Sequence, residues 1–123
     1  MPTHSWNLDN IYYDFVTNEI KIYEIRVFDD KRKLINVGDT IIFNNRDNIK
    51  MPLLSTKISE IKIYGDFQEA LQDTPLKEVL PNIEILEEGV KLYQSFPHEE
   101  GTYKEGGEMY GVVRFKFDDI HLI

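Results

Sequence analysis

Glu19-Ile20-Lys21-Ile22-Tyr23-Glu24-Ile25-Arg26 is the stretch on which the fold of this chain turns. From Ile22 to Phe28, β-branched and aromatic residues alternate with charged ones at period two. That is the pattern of a strand, because successive side chains of extended backbone point to opposite faces. Glu24, Arg26 and Phe28 share one face and Tyr23, Ile25 and Val27 the other, so one side carries charge while its opposite packs into a core. Arg26 offers a planar fork of donors suited to a phosphate or a base edge, and Lys21 offers a compact positive charge. Glu24, between them, accepts from an exocyclic amine or acts as a base. Together the three suit a nucleotide. The plainer reading makes Glu24 and Arg26 a surface ion pair worth at most about 1 kcal/mol, with Lys21 merely solvated.

Working outward, His4 to Leu8 alternate as a short strand, and Asp9 sits as an N-cap ahead of Ile11, Tyr12, Phe15 and Val16 at helical spacing, with Asn18 closing the helix. Downstream, Asp29 to Arg32 reads as a polar turn, and Val37-Gly38-Asp39 as a second turn that introduces a strand over Thr40 to Phe43. A polar loop, Asn44 to Lys50, precedes Lys57 to Tyr64, whose imperfect alternation fits a curved or bulged barrel strand ended by Gly65-Asp66. Phe67 to Leu71, Leu76 to Leu80 and Ile85 to Phe96 have helical spacing interrupted by Pro75 and Pro81. Pro97 to Gly107 reads as a loop, Met109 to Phe117 as a closing strand, and Asp118-Asp119 as a tail. Strands dominate the first half and helices fall between the fourth and last strands. The expected fold is α+β: a small, partly open β-barrel with short helices capping its ends.

At 123 residues and 41% hydrophobic, the chain supports one core, and a single domain over 1–123 is expected. There is no cysteine, which leaves no disulfide, thiolate metal site or cysteine nucleophile. The longest apolar runs, such as Thr40 to Phe43, fall far short of the roughly 20 residues that span a bilayer, so a cytoplasmic location without a membrane partner is expected.

The formal net charge of −8 argues against a long phosphate backbone. Its distribution is uneven. From Lys21 to Lys50 seven basic residues face five acids, a balance of +2, whereas Glu60 to Glu108 holds twelve acids and four lysines, a balance of −8. An anion-binding surface therefore belongs to the first half. Contact is limited to a short single strand or a nucleoside, and extended duplex DNA is excluded as a partner.

The Glu19 to Arg26 stretch resembles the signature of the ASCH family, in which the pattern is Gly, any, Lys, any, any, Glu, any, Arg: Lys21, Glu24 and Arg26 match, and Glu19 replaces the glycine. Asp29-Asp30-Lys31-Arg32, then Ile35, Gly38-Asp39 and Ile42-Phe43, are similar to what small members carry after the signature. Leu8 and Phe15 lie where such proteins place the first strand and helix, and Tyr110-Gly111-Val112 is similar to their last strand. The resemblance implies a PUA-like barrel with a cleft between the first helix and the barrel, in which Lys21, Glu24 and Arg26 face RNA. Related small members are amidohydrolases of N4-acylated cytidine, using the lysine, a threonine three residues later and a distant glutamate; others are reported as ribonucleases. Lys21 matches that lysine, but Glu24 stands at the threonine position and supplies no hydroxyl nucleophile. If the chain is an enzyme, Lys21 and Glu24 are its catalytic candidates, aided by an acid from Glu99 to Glu108. If the signature glycine serves a positive φ, the turn formed with Glu19 has to differ, and this acid is placed to moderate Lys21.

Lys31 and Arg32 are further candidates for phosphate, and Tyr110, with Trp6, Tyr93 and Tyr103, for stacking on a base. Solvation explains a charged turn, and core packing explains Trp6 and Tyr93, at least as well. His98-Glu99-Glu100 are adjacent on a loop and lack the spacing that lets ligands converge, so neither a metal nor a cofactor is expected. His4 and His121 lie near the ends without an evident partner. A third kind of function is docking of a basic protein partner by the acidic second half.

Overall fold

The alternating stretches pair into one sheet. In the computed structural model, which describes residues 2–123, its strands are β1 (Thr3–Leu8), β2 (Tyr23–Val27), β3 (Thr40–Asn45), β4 (Leu54–Tyr64) and β7 (Val112–Leu122). Their order is β1-β3-β4-β7-β2, with β1 parallel to β3 and the other neighbours antiparallel. β4 slips register against β7 between Ser55 and Lys57 and again between Ile58 and Glu60. Such bulges increase local twist and bend, and the five strands curl strongly into a half-barrel. This is the α+β, PUA-like arrangement expected from the sequence.

Two cores result. Inside the curl, Trp6, Leu8, Ile41, Phe43, Ile58 and Phe115 pack together, plugged by Tyr13 and Val16 of helix α1 (Asn10–Thr17). Outside it, Ile25, Val27 and Val112 pack against helices α3 (Phe67–Gln72), α4 (Leu76–Val79), α5 (Leu86–Ser95) and α6 (Tyr103–Tyr110). Phe67 stacks between Tyr93 and Tyr103, at 5.4 and 5.8 Å between ring centres, which fixes both tyrosines as core residues. β2 is thus covered on both faces. Its charged side is the inner face of the barrel, not a solvated one.

Several local readings are corrected. Asp29 to Arg32 is no simple turn: the Asp29 carboxylate accepts from the Arg32 N–H and caps helix α2 (Asp30–Lys33). Pro97 to Gly107 is a tight hairpin, β5 (Pro97–His98) with β6 (Gly101–Thr102), followed by α6, whose start carries a Thr102/Glu105 capping box. The glycine pair lies inside that helix because of packing. A Cβ on Gly106 would sit 2.9 Å from His98 Nδ1, and one on Gly107 would sit 3.2 Å from the Phe67 ring. Met109 and Tyr110 end α6 instead of opening a strand, and Asp118 and Asp119 lie within β7, where Asp118 opposes Lys57. His4 does have a partner, Asp39 Oδ2 at 3.0 Å.

The turn before β2 also differs from expectation. Ile20 N–H donates to Phe15 O and Glu19 N–H to Val16 O, the paired bonds of a Schellman motif, with Glu19 at φ 58°. The glycine-type turn is kept, and a glutamate occupies its left-handed position at a cost of about 1 kcal/mol. Glu19 is exposed and makes no ion pair with Lys21 among the described residues. We expect Glu19→Gly to hold or raise the midpoint of thermal unfolding. Glu19→Val, a β-branched residue at positive φ, should destabilise by about 1–2 kcal/mol in urea titrations.

Candidate functional site

The Schellman turn delivers Lys21 to the start of β2 pointing inward, where it is 1% exposed. Its ammonium has three donors, and all are used: Nζ donates to Tyr23 O at 2.7 Å, to Val79 O at 2.6 Å and to Glu24 Oε1 at 3.4 Å. Burial pushes the Lys21 ammonium below the ordinary lysine range, and Glu24 opposes that shift. Glu24, 6% exposed, is held from every side. Oε1 also accepts from the Ile25 N–H and the Tyr93 hydroxyl, each at 3.1 Å, and Oε2 accepts from Arg26 Nη2 at 3.2 Å. Burial alone would raise the Glu24 carboxyl. Lys21, Arg26, the Tyr93 hydroxyl and the Ile25 N–H outweigh it and hold the group below its ordinary value. Glu24 and Arg26 are therefore no surface ion pair.

Arg26 joins the two edges of the curled sheet. β1 and β2 share no backbone ladder, yet Arg26 Nη2 reaches from β2 to Asn7 O on β1 at 3.4 Å, and its guanidinium lies 4.7 Å from the centre of the Trp6 ring. The seam between these edges opens into a cleft of about 550 Å³. Lys21, Glu24 and Arg26 line it, with Asn7 on β1, Tyr12 on α1 and Leu80 just after α4. Its mouth carries Lys31, Arg32 and Arg46, with the β5 to β6 hairpin on one side. There, Asp29 Oδ2 accepts from Arg32 Nη1 at 2.7 Å and from His98 Nε2 at 2.9 Å. His98 Nδ1 accepts from the Glu100 N–H, so the imidazole carries its hydrogen on Nε2 and serves as a strut for the hairpin.

Of the residues singled out from sequence, Lys21, Glu24 and Arg26 converge, and Lys31 and Arg32 stand at the same opening. Lys31 is free in solvent apart from a 3.5 Å contact to Glu99, whereas Arg32 is committed to Asp29. Tyr110 does not line the cleft; its hydroxyl donates to Glu100 Oε1. Trp6 lies beneath Arg26, and the Tyr93 and Tyr103 rings form cleft wall from within the core. Of the acids in Glu99 to Glu108, only Glu99 lines the cleft. The sequence reading missed the Val79 and Asn7 carbonyls, which are backbone groups without a residue signature. It also missed Tyr12, which reads as core, and Arg46, noticed only as a charge.

A family model described as the ASCH domain matches residues 7–121. A hypothetical protein of Pyrococcus, known from a crystal structure, is 32% identical, with all of both chains covered and a TM-score of 0.78. A Pyrococcus furiosus protein solved in solution by NMR is 30% identical over 96% of each chain, with a TM-score of 0.70. None of the curated proteins matches the chain.

The buried charges make two measurable demands. Lys21→Met strips Glu24 of one of its two cations and is expected to cost about 3–5 kcal/mol in urea denaturation, because a buried charge loses its partner. Glu24 and Asp29 ionise in the folded chain below their ordinary values of 4.5 and 3.8. The unfolded chain then binds more protons in that range. The stability these groups contribute is present above about pH 4.5 and drains away as pH falls through their lower folded values. A series of unfolding midpoints from pH 7 to pH 3 should show this fall, and Glu24→Gln should make it shallower.

Proposed function

The chain belongs to the ASCH domain family, one generally thought to bind RNA, and from that premise we propose that its cleft holds one unpaired base of a short single-stranded RNA, or a free nucleoside. The observation that carries this reading is the pairing of Glu24 Oε2 with Arg26 at the cleft floor. Oε1 already takes three donors, but Oε2 takes only Arg26 Nη2 and has a lone pair left. Arg26 donates through Nη2 to Asn7 O and Glu24 Oε2 and has the Tyr103 hydroxyl beside it, and of its five N–H groups this leaves at least one to donate to a ligand. An acceptor and a donor side by side complement the N–H and acceptor that each base presents on its Watson–Crick edge. In a duplex that edge is occupied, so the reading selects single strands. Tyr12, Leu80 and Phe96 supply apolar wall for the ring, and the volume lies within the range of small-molecule sites.

The same geometry favours holding over catalysis. Glu24 is ionised and heavily hydrogen-bonded, a poor base near neutral pH, and every donor of Lys21 is engaged. Binding of nucleosides and short RNAs, acylated cytidine included, is expected to weaken at least about tenfold in Glu24→Gln and Arg26→Lys, each of which changes the donor pattern while keeping much of the volume. Unchanged affinity in both variants would remove the base from this cleft. Conversion of the ligand by wild type would make the protein an enzyme.

A further inference from the structure

A second cavity, about 420 Å³, adjoins the first along β1. The two share Asn7, Arg26, Lys31, Arg32 and Arg46, so these residues form a ridge between them. The cavities differ in charge. The first is lined by the acids Asp9, Glu24, Asp29 and Glu99 as well as by cations, whereas no described Asp or Glu lines the second. On a chain of net charge −8, four cations gathered around an acid-free hollow mark a place for an anion. Two of them are loosely held. Lys31 touches Glu99 and Arg46 touches Asp9, each at 3.5 Å between exposed side chains. Pairs of that kind contribute little and give way to a stronger acceptor. The second cavity is lined mainly by polar side chains, and its apolar members are Trp6 and Ile35, both buried, and Leu34, which is 70% exposed.

We propose that the ligand is at least two nucleotides long, that its linking phosphate crosses the ridge at Arg26, Lys31 and Arg46, and that its second nucleoside rests on Leu34 in the cavity along β1. This inference rests on the first base occupying the Glu24 cleft. It assigns the exposed leucine a role and makes the natural ligand an oligonucleotide instead of a free nucleoside.

The test is a titration of nucleoside, nucleoside monophosphate and dinucleotide against wild type, Lys31→Ala/Arg46→Ala and Leu34→Ser, at low and moderate salt. All three altered side chains are solvent-accessible, so the variants keep the fold. Wild type should bind the dinucleotide roughly ten- to hundredfold more tightly than the nucleoside. Added salt should shrink that gain, and in the double alanine variant the dinucleotide should bind no more tightly than the nucleoside does to the same variant. Leu34→Ser should weaken the dinucleotide but not the monophosphate. A dinucleotide no tighter than the nucleoside overturns the inference, as does a gain that survives in the double variant. A monophosphate as tight as the dinucleotide overturns the second nucleoside site. In each of these cases nucleoside binding still supports the first cleft, whereas its absence from wild type would sink the Glu24 reading itself and this inference with it.

Discussion

A carboxylate with 6% exposure has to be balanced where it stands, and the surroundings of Glu24 are arranged around that requirement. The groups that balance it come from separate elements: Lys21 before β2, Arg26 within it, and Tyr93 from α5. Each of these is tied onward, Lys21 to the carbonyl of Val79 at the end of α4 and Arg26 to the carbonyl of Asn7 on β1. One buried negative charge therefore fastens the outer helices to the strand and the strand to the opposite edge of the sheet. Replacing the set with apolar side chains need not cost stability, since buried ion pairs often break even against good packing. What such a core would lack is a polar group facing the seam.

The seam follows from the sheet. Five strands with two bulges in β4 curl far enough to bring β1 near β2 but not to hydrogen-bond them. An unpaired edge carries free N–H and C=O groups, and here the gap is bridged by a side chain whose guanidinium is stacked on Trp6. Closing the barrel with a ladder would fill this space with backbone. Leaving it open yields a cleft with one wall from each edge strand, a ceiling from α1 and a polar floor that the fold itself holds rigid.

Much of this was legible in residues 19 to 28, where alternation defined a strand with Glu24 and Arg26 on one face and the resemblance to the family signature joined Lys21 to them. The bulged character of Lys57 to Tyr64 and the three helices after Gly65 were legible as well. Alternation does not say what covers a face, so the residues alone left Glu24 and Arg26 open to a ligand-facing role or a solvated ion pair, and the structure turns them to the barrel interior. Glycine propensity misdirected the reading of Gly106 and Gly107, because the close approach of His98 and Phe67 decides those positions and both are separated from them in sequence. At Glu19 the backbone hydrogen bonds of the Schellman turn override residue preference. Carbonyl partners such as Val79 O have no sequence signature at all.

The charge of the chain takes on a different meaning once the cleft is in view. A net −8 opposes any ligand whose binding depends on many phosphates, yet screening confines such repulsion to about 10 Å at ordinary salt. The charges lining the seam are those of Lys21, Arg26, Lys31, Arg32 and Arg46 against the carboxylates of Asp9, Glu24, Asp29 and Glu99, and each of the four carboxylates is paired with one of these cations. A ligand entering here therefore meets a locally compensated site with donors that surface acids hold only weakly. A site compensated in this way makes no demand for a basic surface, so the acidity of the chain as a whole is compatible with an anionic group held at the seam.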